Sequence, residues 1–304
     1  MRRILLEIPL PFGHYLPIYA FGVLAALGFL VALRVALDRA RREKLAEAVI
    51  WDVWTASILG GLAGARLVYV LEHWPYYREH LARSFAIWEG GLVWYGGLAG
   101  ALLAVVTYLR RRRQPVLRVI DALTPATMIG LALGRVGCFL NGCCFGKETD
   151  LPWGVSFPRF GGTEHFHTTL AQQFSPPFAY QVEASGLAPR LLASLPVHPT
   201  QLYSSVAALL IFLLLTLYYP HRRREGEVFL LMLILYGTAR FLIEGLRTNA
   251  EVWLGLSLAQ LMSLLAVPVA LGLFLRSQKK PLPASKVLSD SAAEEGKVPR
   301  RRGR

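Results

Sequence analysis

Two arginines sit where arginine is expensive. Arg135 lies in Gly134-Arg135-Val136-Gly137-Cys138-Phe139-Leu140-Asn141-Gly142, at the end of an apolar run from Met128 to Leu140 that could lie in a bilayer. Arg240 lies within the apolar run Val228–Leu246, with Glu244 one turn on. An unpaired cation at membrane depth costs about 3 kcal/mol on insertion scales, so such residues face the protein interior and meet an anion. Tyr236, Arg240 and Glu244, at i, i+4 and i+8, share one helix face. If Arg240 and Glu244 did nothing but neutralise one another, the pair would be a costly way to build a span. Glu244 can serve Arg240, but it leaves Arg135 without an evident partner. The pattern points to a site for an anionic group at membrane depth, such as a phospholipid headgroup.

Other polar positions surround these two. Arg66 follows Gly60-Gly61-Leu62-Ala63-Gly64-Ala65, whose small residues suit close helix packing. Arg66 either snorkels outward or joins a polar cluster. Trp88 and Trp94 read as interfacial belt residues, whereas Tyr95 beside Gly96-Gly97 marks a place where missing side-chain bulk lets backbone or ligand approach. His198-Pro199-Thr200-Gln201-Leu202-Tyr203 reads as a Pro-started helix, and His198, Gln201 and Tyr203 could also hold a ligand. Cys138, Cys143 and Cys144 are odd in number and crowded into one turn, which excludes a disulfide framework. Zinc sites favour repeated Cys pairs or histidine partners, and His165-x-His167 is a weak signal. Packed, inert thiols are the preferred reading, and no metal or cofactor is expected.

These residues need helices to carry them. The chain is 54% hydrophobic and 17% charged, which excludes an ordinary soluble domain and gives an all-α polytopic membrane fold. Windows of about 20 apolar residues mark about seven spans, near 18–36, 50–71, 92–109, 122–140, 201–219, 228–246 and 256–275. The net charge of +13 does not indicate nucleic acid, because the basic residues cluster between spans and in the tail. Arg39, Arg41, Arg42 and Lys44, then Arg110 to Arg113 with Arg118, then Arg222 to Arg224, then Arg276 and Lys279, fall on one side of a seven-span chain. By the positive-inside rule that side is cytoplasmic, so the N-terminus is external and the C-terminus cytoplasmic. Residues 1–276 form the membrane body, with 141–200 a small external head. Residues 277–304 read as a disordered, basic cytoplasmic tail.

With these residues assembled, the chain resembles the bacterial prolipoprotein diacylglyceryl transferase family over most of 18–247. The likeness runs in order through Gly64-x-Arg66, Gly96-Gly97-Leu98, Gly134-Arg135-x-Gly137 with Asn141-Gly142 and Gly146, His198-Pro199-x-Gln201-Leu202-Tyr203, and Tyr236-Gly237-x-x-Arg240 with Glu244. The resemblance implies a seven-helix enzyme of the bacterial inner membrane with a periplasmic head. It would move diacylglyceryl from phosphatidylglycerol to the lipobox cysteine thiol of a prolipoprotein, forming a thioether and releasing glycerol phosphate. It implies essential roles for Arg135, Arg240 and Glu244, supported by Asn141, Gly146 and Tyr236. The chain departs from the family pattern at four kinds of position. Cys138 and Cys143 stand where asparagine and glutamate are usual, Tyr95 where histidine is, Phe21 where tyrosine is, and Ser204 where glutamate is. Tyr95, His198 and Glu244 remain rival acceptors for the thiol proton. Other readings are a phospholipid-dependent transferase with another acceptor, or a non-enzymatic lipid-binding or transport protein, although no internal repeat of the transporter kind is visible.

Overall fold

A computed structural model describes residues 4–9, 15–87, 90–159, 175–185, 192–248 and 252–279. The helices are α1 (Ala20–Arg42), α2 (Glu47–Glu72), a short α3 (Trp74–Tyr77), α4 (Trp94–Arg111), α5 (Val116–Asn141), α6 (Pro176–Ser185), α7 (Thr200–Tyr218), α8 (Glu227–Glu244) and α9 (Leu258–Lys279). Among the described residues five helical stretches are long and apolar enough to cross a membrane: 20–42, 47–72, 116–141, 200–221 and 258–279. The other two expected spans are also helices, α4 and α8, of 18 residues each. At 1.5 Å per residue each is about 27 Å long, slightly short of a hydrocarbon core of about 30 Å. α8 also carries Glu227, Arg240 and Glu244.

Three observations depart from the sequence reading. First, the fold is not wholly helical. Ile4–Pro9 (β1) and Tyr15–Tyr19 (β2) form an antiparallel hairpin in front of α1. Its prolines interrupt the apolar run that would otherwise extend the first helix, and proline in a strand is tolerated at edges, which a two-stranded ribbon has on both sides. Second, α9 continues through Lys279, so residues 277–279 are helical rather than part of a tail. Ser277 Oγ donates to Glu227 Oε1 at 3.0 Å, which holds this end in place. Third, the described part of 141–200 is knit by isolated antiparallel bridges, Glu148 with Val197, Val155 with Val197, and Pro158 with Ala193. The expected tail from 280 onward, Trp88, and His165 with His167 lie outside the described residues.

The chain divides into two compact units, residues 32–126 and the remainder, with α1 and α5 contributing to both. The 32–126 unit is built on the α2–α4 pair. A Cβ at Gly64 or Gly100 would overlap the carbonyl oxygens of Gly96 and Gly60 respectively, so these helices touch backbone to backbone. Small residues permit that approach, and in lipid the gain is van der Waals contact rather than water exclusion. The Tyr108 hydroxyl also donates to Asp52 Oδ2 across the pair.

The other unit packs the second half of α5 with α7 and α8 around Met128, Ile211, Leu215, Tyr219, Val228 and Met232. Glu227, fully buried where α8 starts, is satisfied by the Arg223 amide at 2.7 Å and the Tyr218 hydroxyl at 3.1 Å as well as by Ser277. Gly226 precedes it at φ 93°, a left-handed turn that glycine makes at no steric cost. One carboxylate therefore ties the ends of α7, α8 and α9 together.

Candidate active site

α8 delivers Tyr236, Arg240 and Glu244 to one face, as their spacing requires. Glu244 is buried, with 2% of its side chain exposed, and Arg240 Nη1 lies 2.6 Å from its Oε2. Among the described residues Arg240 Nη1 makes no hydrogen bond besides this ion pair. Arg247, three residues on and half-buried, brings a second guanidinium to within 3.5 Å of the same oxygen. The other carboxylate oxygen accepts from Ser257 Oγ at 3.1 Å.

Ser257 is aimed by a reciprocal cap at the start of α9. Gln260 N donates to Ser257 Oγ at 3.3 Å, and Ser257 N donates to Gln260 Oε1 at 3.0 Å. This is a capping box, which satisfies two otherwise orphaned helix donors. The hydroxyl proton is thereby free for Glu244.

Arg135 comes to the same place from α5. The Tyr236 hydroxyl and the Arg240 guanidinium are its electrostatic neighbours. Among the described residues it has no carboxylate partner. The cluster therefore holds three guanidiniums, Arg135, Arg240 and Arg247, against the one carboxylate of Glu244, and three less one leaves a surplus of two positive charges. Such a surplus, largely removed from water, calls for an anionic ligand.

His198, Gly146, Gln201 and Tyr203 stand at the mouth of α7. The His198 Nδ1 faces the Tyr203 hydroxyl at 3.3 Å, and that hydroxyl oxygen accepts from Trp153 Nε1 at 2.8 Å. The imidazole is thus held in one orientation. Gly146 N donates to His198 O, and Lys147 N donates to Leu246 O. A Cβ at Gly146 would lie 2.6 Å from the His198 Cβ and 2.7 Å from the Leu246 oxygen. Three segments cross there, and only glycine fits. Ser204 makes a local bond to the Thr200 carbonyl at 2.7 Å.

Cys138 in the last turn of α5 and Cys143 and Cys144 in the turn after it bring their thiols together, with all three Sγ atoms within 4.8 Å of one another. Gly142 at φ 76° and Cys144 at φ 63° make the turn. The fully buried Gln201 donates from Nε2 to the Cys143 carbonyl at 2.9 Å, and Thr200 Oγ1 donates to the Cys144 carbonyl at 2.7 Å. The Asn141 side chain hydrogen-bonds Cys143. Hydrogen bonds from the Cys138 and Cys143 thiols, then the positive charges of Arg247 and Arg135, hold the Cys144 thiol below its ordinary range against the opposing effect of burial.

Arg66, Tyr95, Gly96 and Gly97 belong to the 32–126 unit. Arg66 joins a polar cluster rather than snorkelling. Its Nε donates to Ser84 O at 2.8 Å, Nη2 to Arg83 O at 2.6 Å and Nη1 to Gly90 O at 2.7 Å. The guanidinium also lies 5.4 Å from the Tyr77 ring centre and 5.6 Å from that of Tyr69, within cation–π range. It clamps the loop leading to α4. Gly96 packs against the Gly64 carbonyl and Val68, while Tyr95 is exposed.

Arg247 and Ser257 are the residues that sequence reasoning overlooked. Arg247 carried a usable signal, a charge at i+3 from Glu244 just past an apolar run. Ser257 carried only half of one. Ser257-x-x-Gln260 announces a helix start, but nothing local shows which carboxylate the hydroxyl will meet.

Residues 8–276 match the family model described as prolipoprotein diacylglyceryl transferase. The chain is similar to phosphatidylglycerol–prolipoprotein diacylglyceryl transferases from several bacteria. It is 34% identical to that of Thermotoga maritima over 268 residues, covering 86% of this chain and 82% of the relative. It is 32% identical to that of Acaryochloris marina over 273 residues, covering 88% and 90%. It is 31% identical to that of Listeria welshimeri over 265 residues, covering 86% and 87%.

Proposed function

This chain belongs to the prolipoprotein diacylglyceryl transferase family, and on that premise we infer that it is the transferase its relatives are named for. It moves diacylglyceryl from phosphatidylglycerol to the lipobox cysteine of a prolipoprotein, leaving a thioether and glycerol phosphate. The observation that carries the chemistry is the surplus of two positive charges among Arg135, Arg240, Arg247 and Glu244.

The phosphodiester of the donor lipid has a single negative charge. When the glyceryl C–O bond breaks, the electron pair stays on the phosphate oxygen, and the phosphate approaches a double charge. Positive groups fixed beforehand where charge grows lower the barrier without reorganising. Arg135 and Arg240 are the phosphate ligands, with the planar fork that suits bidentate contact. Glu244 positions Arg240 and Arg247, held in turn by Ser257. Tyr236 lies beside Arg135. His198, steadied by Tyr203 and Trp153, stands at the acceptor side with Gln201.

We read the chain as seven spans of the bacterial inner membrane, α4 and α8 included, with the 141–200 head external and the C-terminus cytoplasmic. Basic last turns support this orientation. α1 ends on Arg39, Arg41 and Arg42, α4 on Arg110 and Arg111, and α9 on Arg276 and Lys279. The test is complementation of a bacterium deficient in lipoprotein lipidation, read by lipoprotein mass. A gain equal to one diacylglyceryl group is expected. Unmodified prolipoprotein despite full expression would refute the reading.

A further inference from the structure

The thiol cluster does more than fill space. Three Sγ atoms within 4.8 Å of one another are close to the spacing that a soft metal imposes. Tetrahedral zinc with Zn–S bonds of about 2.3 Å holds its sulfurs about 3.8 Å apart, so the thiols need to close by at most about 1 Å. The turn that presents them is held from outside. Gln201 and Thr200 pin the two cysteine carbonyls, Asn141 bonds Cys143, and Cys144 keeps a left-handed backbone that a non-glycine residue rarely adopts. Arg135 is one turn before Cys138 on α5, so the thiols adjoin the guanidiniums assigned to the phosphate. The charges also match. A zinc ion with three thiolates has a net charge of minus one, opposite in sign to the surplus on the neighbouring guanidiniums.

We propose that Cys138, Cys143 and Cys144 form a three-thiolate zinc site whose fourth position receives the acceptor cysteine thiol. The proposal rests on the transferase reading for the identity of that fourth ligand. Three protein ligands and one open position are the form of a catalytic zinc site, whereas structural sites are closed. The acceptor thiol, with an ordinary pKa of about 8.5, is mostly protonated at neutral pH, and the thiolate is the nucleophile. A thiol bound to zinc is deprotonated outright. Its proton leaves to water. The sulfur lone pair then forms the C–S bond to the glyceryl carbon, while the C–O bond to phosphate breaks and its electron pair stays on the phosphate oxygen. The neutral thioether is a weaker zinc ligand than the thiolate and departs. Zinc thus does the work of the proton acceptor at the two positions where asparagine and glutamate are usual in the family and this chain has Cys138 and Cys143.

The test uses the full chain purified in detergent under reductant, with Co(II) as the probe. About one Co(II) per chain is expected, with sulfur-to-cobalt charge-transfer absorption that Zn(II) abolishes. Cys144→Ser should weaken binding by more than about 100-fold and Asn141→Ala by about 10- to 100-fold, the range of outer-shell changes. A lipobox peptide with cysteine should shift the band, and the same peptide with serine should not. These readouts need no turnover, and those on the parent chain need no variant to fold. No thiolate band in the parent, or a band that survives replacement of all three cysteines, overturns the proposal. Transfer at the parental rate by zinc-free protein overturns the acceptor role and leaves the transferase reading standing. A cysteine-specific band shift in protein that transfers nothing supports the site and counts against the transferase reading.

Discussion

Arg135→Ala and Arg240→Ala should fail in different ways, although both remove one guanidinium from the same cluster. Arg240 lies 2.6 Å from a carboxylate that is 2% exposed. Removing it leaves Glu244 with Arg247 at 3.5 Å and the Ser257 hydroxyl. Breaking a buried pair by deleting one partner costs about 3–5 kcal/mol, and the remaining contacts place this case toward the lower end. Arg135 holds no carboxylate among the described residues, so its deletion leaves no buried charge uncompensated and should cost the fold about 1 kcal/mol or less. Both variants should lose transfer by about 100- to 1000-fold, which corresponds to about 2.7–4 kcal/mol of lost charge stabilisation. Arg135→Lys keeps the charge but not the fork and should fall between alanine and parent. The assay is diacylglyceryl transfer to a lipobox peptide in detergent, with thermal unfolding measured on the same samples. Parental turnover by Arg135→Ala would remove that arginine from the phosphate site. A loss of stability as large as that of Arg240→Ala would show an undetected structural partner and refute the division of roles.

Gly64→Ala should destabilise the α2–α4 pair by about 1–3 kcal/mol, because its Cβ meets the Gly96 carbonyl and the helices must part; thermal unfolding in detergent reads this, and an unchanged midpoint would sink it. Arg66→Ala should leave the carbonyls of Ser84, Arg83 and Gly90 without their donor and make the loop before α4 more sensitive to added protease, with a smaller effect on transfer than Arg135→Ala. Equal losses of transfer would return Arg66 to the substrate site. Reporter fusions at Arg112 and Ser285 should report cytoplasm and one at Gly162 the exterior; an external signal at Arg112 would overturn the orientation.

The span ends show how far local information reaches. The expected runs 50–71 and 201–219 became helices at 47–72 and 200–218, and even the charged run 228–246 became a helix at 227–244. Hydropathy and helical period are summed over neighbours in the chain, so they can be read without a fold. The sharing of one face by Tyr236, Arg240 and Glu244 is legible for the same reason. The β-hairpin was less legible, because its prolines mark only where a helix cannot be, not which strand another will pair with.

Partners distant in sequence were decided by tertiary structure alone. Arg66 had two open readings until its donors met the carbonyls of residues 83, 84 and 90. The Ser257 hydroxyl found Glu244 because α9 begins beside the end of α8. Cys138, Cys143 and Cys144 are close in sequence, but x4 spacing does not say whether side chains converge. A left-handed residue at Cys144 and two side chains from the start of α7 brought the sulfurs together. Chain order was enough to place the helices and to put Arg135, Arg240 and Glu244 on apolar runs, since both follow from transfer energies summed along the chain. Which carbonyls Arg66 meets, that Arg247 and Ser257 join Glu244, and that three sulfurs converge came only with the folded contacts, since those energies depend on distances of a few ångströms between atoms that the chain order leaves free.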